Sequence, residues 1–198
     1  MSAPPAWQTS ANRAVQRVRV LWRRLGRRWR AALVAGVLAA GTVLFAGGGG
    51  GERHRVGGHD ALIARHAHAT GLDEALVRSV VTHESGGDAK ALSPAAARGL
   101  MQITAITEQD VLQRNPSLQA GDLFDPDYNV AVGTTYLAYL LKRFDNDRTL
   151  AVAAYHMGPT AIRRAMNADP GLSSLDLVQK HGGPQTRAYT AKVLRDAD

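Results

Sequence analysis

The chain has 198 residues, of which 45% are hydrophobic, 21% charged and 6% aromatic, the composition of a globular domain with an appendage rather than a disordered tail or an all-β repeat array. It holds no cysteine, which removes a disulfide scaffold, a Cys-ligated zinc site and a thiol nucleophile together. The net charge of +7 is unevenly placed: residues 1–58 carry ten arginines against the single Glu52, while residues 59–198 carry fourteen Lys and Arg against sixteen Asp and Glu. A slightly acidic body with a basic arm argues against nucleic-acid binding and for a membrane or export signal.

Residues 1–30 form the arm, with Arg13, Arg17, Arg19, Arg23, Arg24, Arg27, Arg28 and Arg30 crowded before Ala31. Residues 31–46 are uncharged and rich in Ala, Val and Leu. As a helix rising about 1.5 Å per residue they span roughly 24 Å, short of the roughly 30 Å hydrocarbon core. The segment reads as a short signal anchor or the apolar part of a signal peptide, and residues 47–58, opening on Gly47 to Gly51, as a flexible linker. Arginines directly upstream and glycines directly downstream fit no buried core helix, and the Arg23-Arg24 and Arg27-Arg28 pairs also admit a twin-arginine reading. Either membrane reading leaves the basic flank in the cytoplasm and exports the chain beyond residue 51, to the outer face of the cytoplasmic membrane or the periplasm.

From residue 59 onward the apolar spacing is helical. Residues 60–69 set Leu62, Ile63 and His66 on one face and stop at Gly71. Asp73 is placed to cap a helix through His83, with Leu76, Val77, Val80 and Val81 as its apolar stripe. Ser93-Pro94 opens a short Ala-rich segment, followed by Gly99-Leu100-Met101-Gln102 and a polar helix to about Arg114, which Asn115-Pro116 breaks. Asp125-Pro126 starts the longest helix, over about 127–144, with Val130, Tyr136, Leu137, Leu140 and Leu141 inward. Helices follow at about 147–156, 160–167 and 186–196. The expected fold class is all-α, one domain of about seven helices over residues 59–198.

Glu84 is the unusual acid. It follows Val77 by seven residues, Val80 by four and Val81 by three, so it falls on the buried stripe of its own helix, in the last turn before Gly86-Gly87. Apolar burial and the negative end of the helix dipole both disfavour the carboxylate, and a carboxyl kept protonated near neutral pH is what a general acid requires. The alternative of equal weight is a helix that has already ended, with Glu84 in water. Gly99-Leu100-Met101-Gln102 puts an amide beside apolar residues after a glycine, as a wall for a flat polar ligand such as a sugar would. Ala154-Tyr155-His156-Met157-Gly158 places an aromatic and a polar ring at a helix end. Each of these alone is more often core packing plus a cap than a site.

Taken in order and spacing, these segments resemble the catalytic domain of the soluble lytic transglycosylases, lysozyme-like enzymes that cleave peptidoglycan glycan strands. The resemblance runs over about residues 60–195 and rests on Ala69-Thr70-Gly71-Leu72, Glu84-Ser85-Gly86-Gly87, Ser93 to Gln102, Asp125-Pro126 with Asn129, Gly133 and Tyr136-Leu137, Ala154-Tyr155, and Gln185-Thr186-Arg187-Ala188-Tyr189. It implies a lysozyme-like domain in which Glu84 is the catalytic acid, Ser85 and Tyr189 orient the carboxyl and substrate, and Gly99, Leu100, Met101, Gln102, Tyr155 and His156 line the sugar cleft. It further implies non-hydrolytic cleavage of the bond between N-acetylmuramic acid and N-acetylglucosamine, giving 1,6-anhydro ends without cofactor or metal. The implied partners are peptidoglycan strands, the cytoplasmic membrane through the N-terminal segment, and the wall-opening step of a secretion or conjugation machine as one setting. The chain departs from the family at His156, where Asn is usual, at Met157, and at Thr104-Ala105 in place of Met-Pro. The competing expectations are a hydrolytic muramidase and a membrane-tethered peptidoglycan-binding module with a vestigial cleft.

Overall fold

The computed structural model describes residues 58–198. The expected arm over 1–30, the apolar segment over 31–46 and all but the last residue of the linker over 47–58 lie outside the described residues. Within them the chain folds into eight helices: α1 Asp60–Thr70, α2 Glu74–Ser85, α3 Ala105–Arg114, α4 Pro126–Arg143, α5 Arg148–Met157, α6 Pro159–Ala168, α7 Ser174–His181 and α8 Pro184–Ala197. Among the described residues no helix is long and apolar enough to cross a membrane.

Side-chain chemistry sets the helix starts. Asp73, Thr104, Asp125, Asp147 and Ser173 stand extended before α2, α3, α4, α5 and α7, and each accepts a hydrogen bond from a first-turn N–H that has no partner within the helix. Pro126, Pro159 and Pro184 open α4, α6 and α8, where a missing N–H costs nothing. The expected stripes are buried: Ile63, Leu76, Val77, Val80, Val81, Val130, Leu137 and Leu140 have essentially no exposure.

The helix over Ser174–His181 was not expected from the sequence, and makes eight rather than about seven. It is short, only Leu177 and Val178 of it are buried, and Leu175 is exposed, so it carries almost no periodic signal. The Ala-rich segment after Ser93 is likewise not a helix. The Ser93 N–H donates to the Ala97 carbonyl at 3.0 Å, its hydroxyl accepts the Ala97 N–H at 3.0 Å and its carbonyl accepts the Ala96 N–H at 2.9 Å. Beyond this turn, Leu92, Arg98 and Ile103 pair through isolated antiparallel bridges.

Two packings aim the site. α8 lies against α2 and α5, and α4 lies against α1 and α5. Ser79 of α2 donates its hydroxyl to the Val193 carbonyl of α8 at 2.8 Å. The same pair of helices carries Glu84 in the last turn of α2 and Tyr189 in the middle of α8. The loop at 98–101 is held by Asn129 of α4, which is fully buried. Its Nδ2 donates to the carbonyls of Arg98 at 2.8 Å and Leu123 at 2.7 Å, and its Oδ1 accepts the Met101 N–H at 2.8 Å. Gly99 has a left-handed φ of 70°, and a Cβ there would lie 2.4 Å from Asn129 Nδ2 and 2.5 Å from the Leu123 carbonyl. Gly133 plays the matching part on α4, since a Cβ there would lie 2.3 Å from Met101 Sδ.

Asn129→Ala leaves the buried Met101 N–H and the Leu123 carbonyl without their partner and takes one of two donors from the Arg98 carbonyl. It is expected to lower stability by about 3–4 kcal/mol, measured as a fall in urea midpoint with the m-value unchanged.

Candidate active site

Helix α2 ends at Gly86, in the left-handed conformation, and delivers Glu84 in its last turn. The stripe of Val77, Val80 and Val81 beneath it is fully buried, whereas Glu84 keeps part of its surface open. The carboxyl is thus surrounded by protein on most sides yet reachable from outside. Tyr189 of α8 donates its hydroxyl to Glu84 Oε1 at 2.7 Å. Burial pushes the Glu84 carboxyl up to about 7 from its ordinary value, against the opposing pull of the Tyr189 hydrogen bond. Neither a cation nor a second carboxylate among the described residues contributes to that shift. Burial raises the phenols of Tyr155 and Tyr189 well above their usual range, and the nearby Glu84 charge adds to it. Both therefore stay protonated as hydrogen-bond donors. Of the expectations for Glu84, the structure has the helix still intact and the carboxyl desolvated.

The remaining residues named from the sequence come together here, in two different capacities. Ser85 does not touch Glu84: its hydroxyl donates to the Leu100 carbonyl at 2.8 Å and to the Val81 carbonyl at 3.2 Å, and accepts the Gly87 N–H at 3.1 Å. It ties the end of α2 to the 98–101 loop. Tyr155 of α5 is buried, and its hydroxyl donates to the Met101 carbonyl at 2.8 Å. Leu100 and Met101 have no exposed surface, and Gly99 is also buried. Contrary to a direct sugar contact, the side chains of Leu100, Met101 and Tyr155 shape the wall from behind, because the apolar core takes them and their polar atoms are spent on one another.

Ser85, Gln102, His156, Tyr189 and Glu84 are the partly exposed members. Gln102 has a φ of 48°, a left-handed backbone that a non-glycine residue adopts only when its surroundings impose it. Its Nε2 donates to the Gly99 carbonyl at 3.0 Å and the Ala91 carbonyl at 3.2 Å, which leaves Oε1 accepting nothing among the described residues. His156, in the last turn of α5, places Nδ1 3.1 Å from Thr186 Oγ1 of α8 and lays its ring against Tyr189 with centroids 4.8 Å apart. Burial holds its imidazole below the usual value, so it is neutral at pH 7. Thr186 was given no role from the sequence. Its signal was its position three residues before Tyr189, on the same helix face. The other acids are engaged elsewhere: Glu74 pairs with Arg78, and Glu108 accepts the Tyr128 hydroxyl at 2.7 Å. His83 lies 2.8 Å from Asp196 Oδ2.

The family model of the transglycosylase SLT domain matches residues 61–176. The chain belongs to that family. The SLT match takes in Glu84, the 98–102 wall and the α5 motif and stops before Tyr189, so α8 stands outside it. The chain is 29% identical over 144 residues to the soluble lytic murein transglycosylase of Salmonella typhimurium, covering 69% of this chain and 22% of that protein. Among solved structures, an inactive Glu-to-Gln mutant of the lytic transglycosylase Slt from Pseudomonas aeruginosa superposes with a TM-score of 0.65 at 27% identity, over 70% of this chain and 23% of that one. The 70 kDa soluble lytic transglycosylase of Escherichia coli gives a TM-score of 0.66 at 27% identity, again over 70% and 23%. The chain spans less than a quarter of the length of these three proteins. The all-α lysozyme-like fold expected from the sequence is that of these SLT structures.

The raised Glu84 carboxyl makes stability depend on pH. Its ordinary value is 4.5 and its folded value about 7, so between them the folded state holds a proton that the unfolded state has lost. This contribution is complete below the lower value and disappears as pH rises through the upper one. Glu84→Gln cannot ionise. It should melt with the parent at pH 4.5 and above it at pH 8, by on the order of 3 kcal/mol at most, as differential scanning calorimetry at the two pH values would read.

Proposed function

We propose that this SLT domain cleaves the β-1,4 bond between N-acetylmuramic acid and N-acetylglucosamine in peptidoglycan without water, with Glu84 as the only acid–base group. One observation carries the reading: Glu84 is a lone, desolvated carboxyl poised at about 7 and held by Tyr189. At neutral pH about half of such a group is protonated, which suits a residue that must donate and then accept in one turnover.

Protonated Glu84 donates to the glycosidic oxygen, and the C1–O bond breaks with the leaving sugar taking that proton. The acetamido oxygen of the muramic acid residue stabilises the positive charge developing at C1. Glu84, now a carboxylate, takes the proton of the C6 hydroxyl as that oxygen bonds to C1, which regenerates the acid and closes the 1,6-anhydro ring. Tyr189 holds the carboxyl through both transfers, and its hydrogen bond favours the carboxylate that the first transfer creates. The free Oε1 of Gln102 is available to a sugar N–H or hydroxyl at the wall. Ser85, Asn129 and Tyr155 keep that wall in place.

A hydrolytic muramidase with two carboxylates would set a second acid roughly 5–9 Å from the first. None of the described carboxylates perturbs Glu84, which favours the single-acid route. The names of the relatives as lytic transglycosylases, and the inactivity of a Glu-to-Gln mutant in one of them, agree with this reading. A binding module with a vestigial cleft would have no use for an acid kept at this value.

Glu84→Gln should cut the release of anhydro-muropeptides from sacculi by about 10²- to 10⁴-fold, with Glu74→Gln and Glu108→Gln unchanged. Mass spectrometry separates the products: reducing ends in place of 1,6-anhydro ends would replace this reading with the hydrolytic one. We further propose that the domain works outside the cytoplasm, tethered or released by residues 31–46, because the arm before them is strongly basic and the domain slightly acidic. A reporter that is active only in the cytoplasm, fused after Asp198, should then be silent.

A further inference from the structure

We propose that His156 is a positioning residue for the acid, acting on Glu84 through Tyr189 rather than on the sugar. This rests on the reading of Glu84 as the proton donor. A tyrosine that holds a carboxyl has to hold its ring as well as its oxygen, since rotation of the side chain sweeps the hydroxyl off the line of the hydrogen bond. Tyr189 bonds Glu84 at 2.7 Å, and the ring packed against it is the imidazole of His156, 4.8 Å away between centroids and inclined by 36°.

The imidazole is itself anchored. Its Nδ1 lies 3.1 Å from Thr186 Oγ1, and Thr186 sits three residues before Tyr189 on α8, on the same face. His156 is therefore fastened to the helix whose tyrosine it steadies. Thr186, His156, Tyr189 and Glu84 form one chain of contacts that joins the end of α5, the start of α8 and the end of α2.

The groups that face His156 are Thr186 and Tyr189 of α8, with Glu84 of α2 beyond Tyr189, and burial is the only influence on its protonation. A neutral ring in this place packs on Tyr189 without adding a cation, which would favour the carboxylate and drain the proton from the acid. The asparagine usual in the resembling family could bond Thr186 but offers no ring. The imidazole thus supplies both a partner for Thr186 and a flat face for Tyr189.

Two substitutions give opposite expectations. His156→Asn keeps a partner for Thr186 and removes the ring; His156→Phe keeps the ring and removes the partner. The Glu84 titration, followed by carboxyl carbon NMR on the full chain, reports the effect independently of turnover. Because the Tyr189 hydrogen bond lowers the Glu84 value, Tyr189→Phe should raise its midpoint by about one unit. His156→Asn should raise it by about half a unit or more in the same direction, and His156→Phe by less than about 0.2. The Asn change should add nothing on top of Tyr189→Phe, as for two residues acting in series. On sacculi, His156→Asn should lower kcat about fivefold and move the alkaline limb of the kcat profile upward with KM unchanged, while His156→Phe, which keeps the ring but loses its anchor, should lower kcat less than His156→Asn does.

A Glu84 midpoint that ignores His156→Asn, or that moves equally with His156→Phe, overturns the proposal. So does a rise in KM with both variants at an unmoved pH profile, which would make His156 a sugar contact. If the unmutated protein releases no anhydro product, the proposed function fails, and the NMR titration still decides the role of His156.

Discussion

A primary amide offers two donors and an acceptor oxygen, and at Asn129 both donors and the oxygen are engaged inside the protein, on the 98–101 loop and on Leu123. The loop from Arg98 to Met101 makes only isolated bridges and turns, so its backbone groups have no helix or ladder to satisfy them. A buried group without a partner is costly, and the amide at residue 129 is what lets this irregular loop lie against the long helix. The rest of the wall depends on it. Ser85 can reach the Leu100 carbonyl and Tyr155 the Met101 carbonyl only because those carbonyls are held still. Gly99 and Gly133 clear the space in which the loop and the helix meet.

On that frame the site is arranged around one unfavourable group. A carboxyl raised to about 7 is a carboxyl that the folded protein would sooner not ionise, and above neutral pH the domain is less stable for carrying it. The surrounding network softens the penalty without removing it: one tyrosine hydrogen bond lowers the value while desolvation dominates. A second such bond, or a nearby arginine, would have lowered the value further and favoured the carboxylate at pH 7. The absence of a charged contributor among the described residues is thus as much a part of the device as the hydrogen bond that is present.

The packing of α2 against α8 brings together two helices that lie about a hundred residues apart in the sequence. Ser79 with Val193 and Glu84 with Tyr189 are successive contacts along the same pair. A slip of one turn on α8 would move Tyr189 by about 5.4 Å and break both. The register of the proton donor with its holder is therefore a property of helix packing far from the cleft, and His156 and Thr186 refine it at the cleft itself.

Much of this molecule was legible in its residues. Capping side chains at Asp73 and Asp125, stop signals at Gly71 and Gly86 and the spacing of the valines on α2 located the helices and put Glu84 on a buried face, because helix geometry couples position to environment over three or four residues. The order of motifs pointed to the SLT family. The helix at 174–181 was missed where only two of eight residues are buried, too few to mark a period. The division of labour within the site was decided only by the fold. Whether Ser85, Tyr155, Leu100 and Met101 meet a ligand or support the wall depends on which carbonyl lies within 3 Å of each hydroxyl and on what covers each side chain. Those distances join residues 15 to 54 positions apart along the chain. The sequence alone determined that Glu84 falls on the apolar stripe of its helix and that the order of motifs is that of the SLT family, since helix spacing and motif order are local properties. Only the tertiary structure decided that this carboxyl stands without a charged neighbour among the described residues and is held by a tyrosine 105 residues away, because burial and long-range hydrogen bonds have no local signature.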